Sequence, residues 1–306
     1  MPDLISGVRV GIDVGGTKTQ VRAVLDTETV LADRVFPSTG WEPADHARAA
    51  AFLTDLIRRT VPDGAALAAV VVGAHGCDSA DDGAGMRRQL VRLVPAPCRV
   101  VNDAELLAPA MGLAGGIGLV AGTGSVAVGR DRAGEPVYVG GWGWLFGDEG
   151  SAPGLLREAA RASLAARDRG ESPDLLATLL LDSFQVGEVT DLPDAMAAQS
   201  GARAWGDRVA LVFEALHGGS ALAEAVVDDA AGALAGLVAQ VAARGVAADD
   251  VVVAGGVILN QPGLYTGFTR RLEAVLPATK VHRLGTAPVH GAVLLAERLA
   301  QAEAVV

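Results

Sequence analysis

Gly7-Val8-Arg9-Val10-Gly11-Ile12-Asp13-Val14-Gly15-Gly16-Thr17-Lys18-Thr19 is the segment that decides the fold of the first half of the chain. Apolar side chains alternate with polar or small ones up to Val14, which is the period of a β-strand. The glycine pair then predicts a tight turn, because glycine adopts positive φ without steric cost. Its amides, hydroxyls and lysine could hold phosphate oxygens, although a plain hairpin with polar decoration is the alternative. The candidate phosphate-binding residues are Gly15, Gly16, Thr17, Lys18 and Thr19.

A second glycine-rich turn follows a second predicted strand, Ile117 to Ala121. Strand residues continue after this turn, so the segment is not a dinucleotide-binding fingerprint, which would open a helix. Two such hairpins facing each other across a cleft would hold a polyphosphate from both sides. The candidate residues of the second hairpin are Gly122, Thr123, Gly124 and Ser125.

A third glycine pair, Gly255-Gly256, follows the buried strand predicted over Asp250 to Ala254. Bare backbone between a strand and a helix could lie against a flat ligand, because no β-carbon blocks the approach. An ordinary strand-to-helix turn is the alternative. Asn260 completes this candidate nucleotide-binding group.

The predicted elements recur in the same order, three strands followed by helix, strand and helix, each time opening with a glycine-rich hairpin. This repetition predicts an α/β fold of two similar lobes around a central cleft, with residues 1–108 in the first and 109–306 in the second. The second lobe carries a helical insertion, predicted as helices over 151–169, 172–182 and 205–244. The closing helix over 287–303 could pack back on the first lobe.

Two aspartates follow predicted strands. Asp13 at the end of the first strand could hold Mg²⁺ through water, since hard cations prefer oxygen ligands. Asn102-Asp103 ends another strand and opens a helix. This pair could be a simple N-cap; alternatively, Asp103 is a general base that accepts a hydroxyl proton during phosphoryl transfer.

The segment from Gly140 to Ser151 is dense in glycine and aromatic residues. Trp142, Trp144 and Phe146 could simply belong to the core, whereas the glycine spacing favours contact between the backbone and a ligand. Asp148 could stabilise the start of the following helix through the helix dipole or accept sugar hydroxyls.

Composition restricts the class of protein. The chain has 306 residues and a formal net charge of −11, which argues against a nucleic-acid or anionic-membrane partner. The opening MPDLISGVRV does not resemble a signal peptide, and we find no apolar run long enough to predict a membrane span. Cys77 and Cys98 do not make a disulfide framework or a zinc site. We therefore expect a cytoplasmic α/β enzyme or binding protein.

The three glycine motifs resemble the phosphate 1, phosphate 2 and adenosine motifs of the actin/Hsp70/sugar-kinase ATPase superfamily. The segment from Gly140 to Ser151 resembles, more specifically, the N-acetylglucosamine kinase group of the BadF/BadG/BcrA/BcrD ATPase family, and Asp103 matches the catalytic-aspartate position of that group. The resemblance covers nearly the whole chain, with the motifs in the expected order. It implies a ribonuclease H-like fold in each lobe, with ATP, Mg²⁺ and a hexosamine meeting in the cleft.

The resemblance also implies a role for each candidate. Asp103 would deprotonate the sugar 6-hydroxyl, Asp13 would help to place Mg²⁺, and the two hairpins would hold the β- and γ-phosphates. Gly255 and Gly256 would flank the nucleoside, and the enzyme would be a homodimer. The sugar pocket implied by the resemblance is formed by Gly76, Asn102, Asp103, Gly141, Trp142 and Asp148.

Two departures from the group concern the sugar. Gly40 stands where an asparagine is usual, and His75 and Cys77 replace small residues. By itself, His75 at the end of a buried strand either points toward the cleft or is a satisfied core histidine, of which the core position is expected. Cys77 is expected to be a small apolar filler. The candidate sugars that could accept the phosphoryl group are therefore N-acetylglucosamine, glucosamine, N-acetylmannosamine, muramic derivatives and glucose.

The sequence disfavours two other function classes. One is an ATPase activator of a 2-hydroxyacyl-CoA dehydratase, in which cysteines bridge an iron–sulfur cluster between subunits, but Cys77 and Cys98 do not occupy the positions required. The other is a sugar-sensing regulator, which would carry a helix-turn-helix extension and a zinc cluster; neither is evident in the sequence.

Overall fold

The computed structural model describes residues 6–25, 29–199 and 201–304, and its first sheet has the strand order β3-β2-β1-β4-β5. The first three strands form an antiparallel meander, β4 runs parallel to β1, and β5 runs parallel to β4. The strands of this sheet are β1 (Ser6–Val14), β2 (Lys18–Val24), β3 (Val30–Pro37), β4 (Ala66–Ala74) and β5 (Cys98–Asn102).

The second sheet repeats this arrangement with the order β8-β7-β6-β9-β10, and every strand has the same neighbours and directions as its counterpart. Its strands are β6 (Ile117–Ala121), β7 (Ser125–Arg130), β8 (Pro136–Gly140), β9 (Asp250–Ala254) and β10 (Lys280–Arg283). The predicted α/β fold with two similar sheets is confirmed. The lobe boundary at residue 108 stays a prediction, and the outermost residues of the two lobes, 1–5 and 305–306, lie outside the described part of the chain.

Helices cover the sheets and fill the insertion between β8 and β9. Two short 3₁₀ turns accompany them, at Asp103–Leu106 and Val189–Asp191. The α-helices are α1 (His46–Thr60), α2 (Ala80–Leu90), α3 (Leu107–Ala110), α4 (Ala152–Asp168), α5 (Leu175–Phe184), α6 (Leu192–Ala197), α7 (Gly201–Gly206), α8 (Ala210–His217), α9 (Ala221–Ala243), α10 (Gly256–Asn260), α11 (Pro262–Val275) and α12 (Pro288–Ala304).

The prediction of one helix over 205–244 is wrong. The chain breaks between α8 and α9, where Gly219 adopts a φ of +84°. Ser220 then begins α9 by accepting a hydrogen bond from the Ala223 N–H on its side chain. A glycine followed by a serine cap is an ordinary end and start of two helices, so this break had a local signal.

The last helix packs on the first sheet. Ala292 and Ala296 of α12 join a buried cluster with Val71 of β4. Gly11 of β1 permits this close approach, since a β-carbon there would lie 2.6 Å from the Val293 backbone nitrogen. A helix that follows the second sheet in sequence therefore lies against the first.

Helix α9 is long and apolar enough to cross a membrane by length and composition, but half of its most apolar window is buried within the protein. It contacts α4, α11 and strands of the second sheet, and Leu234 and Val238 belong to the main core cluster. A core helix satisfies the same criteria as a membrane span, so this feature is weak support for membrane insertion.

Candidate active site

The first hairpin joins β1 to β2 and leaves Gly16, Thr17 and Lys18 exposed. The Gly15 N–H donates a hydrogen bond to the Lys18 carbonyl oxygen (3.0 Å), which closes the turn. Thr19 is buried, and its hydroxyl oxygen lies 2.9 Å from that of Ser38. Ser38 in turn donates to the Gly15 carbonyl oxygen (2.7 Å). Thr19 therefore supports the turn from below, whereas the residues at its tip are open to a ligand.

The second hairpin joins β6 to β7, with Thr123 exposed at its tip. The Gly122 N–H donates to the Gly124 carbonyl oxygen (2.9 Å). Ser125 is buried; its N–H donates to Asp148 Oδ1 (3.1 Å) and its hydroxyl to the Glu149 carbonyl oxygen (2.8 Å). Ser125 therefore connects this hairpin to the loop that carries the predicted sugar-binding residues.

The two hairpins face each other. A β-carbon added to Gly16 would lie 3.4 Å from the Thr123 hydroxyl oxygen, an ordinary van der Waals separation. Residues from the two lobes, more than a hundred positions apart in the chain, thus meet at the tips of equivalent turns. Backbone amides at glycine turns of this kind can bind anionic oxygens from both sides.

The third glycine motif lies beside the second hairpin. A β-carbon on Gly122 would lie 3.4 Å from the Gly256 nitrogen, so these backbones are in direct contact. Gly255 has a φ of +109°, and a β-carbon there would come within 2.3 Å of the Ala121 carbonyl oxygen, so only glycine fits. The Asn260 side chain donates to the Gly256 carbonyl oxygen (2.8 Å) and supports this turn.

Asp13, the predicted magnesium-placing residue, and Asp103, the predicted base, lie close enough to influence each other. Burial and the charge of Asp103 raise the pKa of Asp13 to about 7, and Lys18 opposes this shift. Burial also raises the pKa of Asp103, which the charge of His75 and hydrogen bonds from backbone N–H groups lower. Asp103 is only half-buried, so it remains reachable from the cleft. A carboxylate with a raised pKa is suited to accepting a proton.

Asn102 is fully buried and supports Asp103. Its side-chain oxygen accepts from the Ala104 N–H (2.9 Å), and its amide donates to the Cys77 carbonyl oxygen (3.2 Å) and to Asp78 Oδ1 (2.8 Å). The N-cap interpretation of Asn102 is confirmed. The structure places this predicted sugar-binding residue beneath the site, with its polar atoms already paired.

The loop after β8 is both strained and exposed. Asp148 is buried with a φ of +56°, which is unusual for a residue other than glycine. Burial raises the pKa of Asp148, and the Ser125 N–H and His75 oppose the shift. The core interpretation is wrong for Trp142 and Phe146, whose side chains are 76% and 87% exposed; Trp144 alone packs inward, edge-on to Trp205.

The loop after β4 meets the loop after β8 across the cleft. A β-carbon on Gly141 would lie 3.6 Å from the Asp78 carboxyl carbon. Sequence analysis missed Asp78, whose pKa burial raises to about 6 against the opposing effect of His75. Asp78 lies two residues after Gly76, a predicted sugar-binding residue, and this spacing was the sequence signal that could have identified it. Gly76 itself is half-buried with a φ of +77° and lies against Pro43.

The three residues expected to depart from the N-acetylglucosamine kinase group, His75, Cys77 and Gly40, differ in how far they are buried. The expectation of a core histidine is wrong, because the His75 side chain is exposed, whereas Cys77 is a fully buried filler as predicted. Gly40 lies in an open turn with a φ of +92° and no atom within 4 Å of where a β-carbon would stand. Both cysteines are buried, which does not fit the cluster-bridging role considered above.

Among the described residues, no group of three or more histidine, cysteine or acidic side chains is arranged to hold a metal ion.

Two equivalent sheets, whose glycine hairpins meet at their tips, give the chain the actin-like ATPase fold, which solved sugar kinases share. The chain belongs to the BadF/BadG/BcrA/BcrD ATPase family, whose model matches residues 10–296.

Two curated relatives are similar over 94% of the chain and 97% of their own lengths. One is N-acetylmuramic acid/N-acetylglucosamine kinase from Clostridium acetobutylicum, 29% identical over 299 residues. The other is N-acetyl-D-glucosamine kinase from Dictyostelium discoideum, 26% identical over 310 residues.

Solved structures support the fold. A Chromobacterium violaceum protein assigned as an N-acetylglucosamine kinase has a TM-score of 0.71 at 19% identity, over 95% of this chain and 99% of that one. A ROK-family glucokinase from Streptomyces griseus, in complex with glucose and AMPPNP, has a TM-score of 0.58 at 20% identity, over 96% and 100% of the two chains.

Proposed function

We propose that the chain is an ATP-dependent sugar kinase that transfers the γ-phosphoryl group of ATP to the 6-hydroxyl of a hexosamine, with N-acetylglucosamine as the leading acceptor. One observation carries the proposal: Gly16 and Thr123, at the tips of equivalent hairpins in two lobes, face each other, and the charge of Asp103 acts on Asp13 at the end of the strand that leads into the first hairpin. The activities named for both curated relatives support the acceptor class. Glucosamine and other hexoses are the alternative acceptors, and the name of the first relative adds N-acetylmuramic acid.

The chemistry assigned to the chain is mainly positioning and charge control. Asp103 accepts the proton of the sugar hydroxyl as its oxygen attacks the γ-phosphorus. The two hairpins hold the β- and γ-phosphates in line with that oxygen, and Lys18 offsets their charge. Gly255 and Gly256 lie where their bare backbone can flank the nucleoside.

The residues at the end of β1 fit a magnesium ion. Asp13 is a half-buried carboxylate that accepts no hydrogen bond within the described residues, and the charge of Asp103 acts on it unfavourably. A hard cation prefers such oxygen ligands, together with phosphate oxygens and water. Bound there, Mg²⁺ would neutralise charge on the triphosphate.

The sugar is assigned to the space between the loops after β4 and β8. Asp148 and Asp78 offer carboxylate acceptors for hydroxyl groups, and Gly76 and Gly141 offer accessible backbone. Trp142 is free to cover an apolar sugar face, since it is largely exposed. A homodimeric state and a cytoplasmic location complete the proposal; the family resemblance supports the dimer, which sedimentation velocity would test.

The test is a coupled ATP-consumption screen over N-acetylglucosamine, N-acetylmuramic acid, glucosamine, N-acetylmannosamine and glucose. We expect the highest kcat/KM with an N-acetylated hexosamine. Asp103→Asn should lower kcat by roughly 10²–10⁴-fold with unchanged nucleotide affinity, since it removes only the base. The matched control is Asp168→Asn, at an exposed carboxylate. Wild-type turnover by Asp103→Asn would refute the base assignment, and no turnover with any sugar would refute the function.

A further inference from the structure

His75 is a basic side chain that the reaction proposed above does not use. It stands at the carboxyl end of β4, where its backbone is fixed on both sides. Its N–H donates to the Val14 carbonyl oxygen (2.8 Å), and its own carbonyl oxygen accepts from Trp41 Nε1 (3.0 Å). The side chain nevertheless is exposed to the cleft rather than packed in the core.

The ring lies where the two hairpins meet. A β-carbon on Gly16 would lie 3.9 Å from His75 Cδ2, and the same point is 3.4 Å from the Thr123 hydroxyl oxygen. Cδ2 is bonded to Nε2, so a ring nitrogen is one covalent bond from this meeting point. A polyphosphate held between the hairpins would therefore have its terminal group beside the imidazole.

From this geometry we propose that His75 is a further catalytic residue, whose ring donates a hydrogen bond to the γ-phosphoryl group as it passes from ATP to the sugar. This inference rests on the proposed kinase function and goes beyond it, because it assigns the recognition of the transferred group to a residue to which the family resemblance gives no role.

The distribution of charge supports this role. The charge of His75 lowers the pKa of Asp78, Asp103 and Asp148, so the imidazole lies close enough to all three carboxyl groups to act on them. A triphosphate entering among these carboxylates needs nearby positive charge or hydrogen-bond donors.

Two other basic groups act on carboxylates of this site within the described residues. Lys18, at the tip of the first hairpin, acts on Asp13 and is assigned above to offset phosphate charge from that side. Arg157 acts on Asp148, but its guanidinium donates to the Trp144 and Gly147 carbonyl oxygens below the loop. His75 is thus the basic side chain placed between the phosphate hairpins and the sugar loop.

In the proposed phosphoryl transfer, His75 neither gains nor loses an atom. The bond from the γ-phosphorus to the β–γ bridging oxygen breaks, and its electron pair leaves on ADP. A bond forms from the γ-phosphorus to the sugar hydroxyl oxygen, and the hydroxyl proton passes to the Asp103 carboxylate. The imidazole N–H stabilises the negative charge on the peripheral phosphoryl oxygens, an interaction that a small residue at this position could not make.

The test compares His75→Ala and His75→Gln with wild type, and uses His217→Ala, at an exposed histidine on α8, as the matched control. Calorimetry with Mg²⁺ present measures the affinity for ADP and for the non-hydrolysable analogue AMPPNP, and steady-state kinetics measures kcat. We expect His75→Ala to weaken AMPPNP binding about tenfold and leave ADP binding unchanged. Its kcat should fall roughly 10²-fold, with a smaller loss in His75→Gln, which keeps an N–H donor.

The ratio of the two affinities decides the proposal. If ADP and AMPPNP weaken equally in both variants, or neither changes, His75 does not contact the γ-phosphoryl group and the proposal is overturned. A structural role would lower the melting temperature and weaken both nucleotides together. If wild type phosphorylates no sugar, the proposed function fails, whereas the affinity ratio still tests the contact between His75 and the phosphoryl group.

Discussion

The two phosphate hairpins occupy the same place in equivalent sheets, but different parts of the protein support them. The first rests on Ser38, just beyond β3 in its own lobe, through the buried Thr19 hydroxyl. The second rests on the loop after β8, through bonds from Ser125 to Asp148 and Glu149. One turn is therefore held independently of the sugar loop, and the other is held by it.

This difference assigns different tasks to the two lobes. The first lobe supplies the side chains placed in the chemistry, Asp13, His75 and Asp103, from the carboxyl ends of β1, β4 and β5. Its phosphate hairpin is held by Thr19 and Ser38, and so independently of the sugar loop. In the second lobe, the carboxylate proposed to bind the sugar, Asp148, also accepts from the backbone of the phosphate hairpin. We therefore expect sugar binding and nucleotide binding to be coupled through the second hairpin.

The largest effect should come from breaking the support of the second hairpin with Asp148→Ala. This change removes a sugar acceptor and leaves the buried Ser125 N–H without its partner. Loss of two charge-assisted hydrogen bonds should lower kcat/KM for the sugar by about 100-fold or more, and KM for ATP should also rise. Glu149→Gln is the control, because the backbone of Glu149, not its side chain, holds Ser125. A change in sugar kinetics with ATP kinetics unaltered would contradict the coupling.

The pH dependence of the reaction rate tests the role of Asp103 in the first lobe. Burial raises the pKa of Asp103, and the base must be ionised to accept a proton. Activity is therefore retained above the raised pKa and falls about tenfold per pH unit below it, beginning above the ordinary carboxyl range near 4. Initial rates in overlapping buffers would show this acid limb, with circular dichroism confirming the fold at each pH. An initial rate that does not decrease down to about pH 4 would contradict the assignment of Asp103 as the base.

A smaller and more selective effect is expected when the support of the first hairpin is removed by Thr19→Val. The lost buried hydrogen bond should cost about 1 kcal/mol in free energy of unfolding and raise KM for ATP, with KM for the sugar unchanged. Denaturant titration and steady-state kinetics measure these quantities. Thr178→Val, at an exposed helical hydroxyl, serves as the reference variant. An equal rise of both KM values would show that the two hairpins do not differ as described.

Trp142→Ala should have the smallest effect on stability. The side chain is 76% exposed, so the free energy of unfolding should change by no more than about 0.5 kcal/mol. KM for the sugar should rise and KM for ATP should not, because the residue lies on the sugar side of the second hairpin. A loss of stability well beyond this range would place Trp142 in the packing of the loop instead.

Local sequence signals predicted much of this fold. The alternation from Val8 to Val14 and the glycine pair after it are short-range patterns, and so the hairpins, the order of elements along the chain and its repetition followed from them. The single helix predicted over 205–244 was wrong because apolar periodicity outweighed Gly218-Gly219-Ser220, which ends one helix and begins another.

The burial and the hydrogen-bond partners of side chains depend on tertiary contacts, and the sequence predicted these less well than it predicted the strands. Nothing in the residues around Thr19 shows that its hydroxyl is paired inside the protein, since its partner lies 19 positions away. The N-cap bond of Asn102 is local and was predicted, whereas the partners of its amide nitrogen lie 24–25 positions away. Asp78 was missed for the same reason, because its proximity to Gly141 arises only when the two lobes come together. His75 looked like a core residue because it follows a buried strand, yet β4 ends just before it.

The most direct test of the account is a crystal structure of the protein with AMPPNP, Mg²⁺ and N-acetylglucosamine. The account predicts one nucleotide whose β- and γ-phosphates accept hydrogen bonds from residues 15–18 and from residues 122–124 together, with a carboxylate oxygen of Asp103 next to the sugar 6-hydroxyl. A triphosphate bound by one hairpin alone, or a sugar hydroxyl out of reach of Asp103, would contradict it.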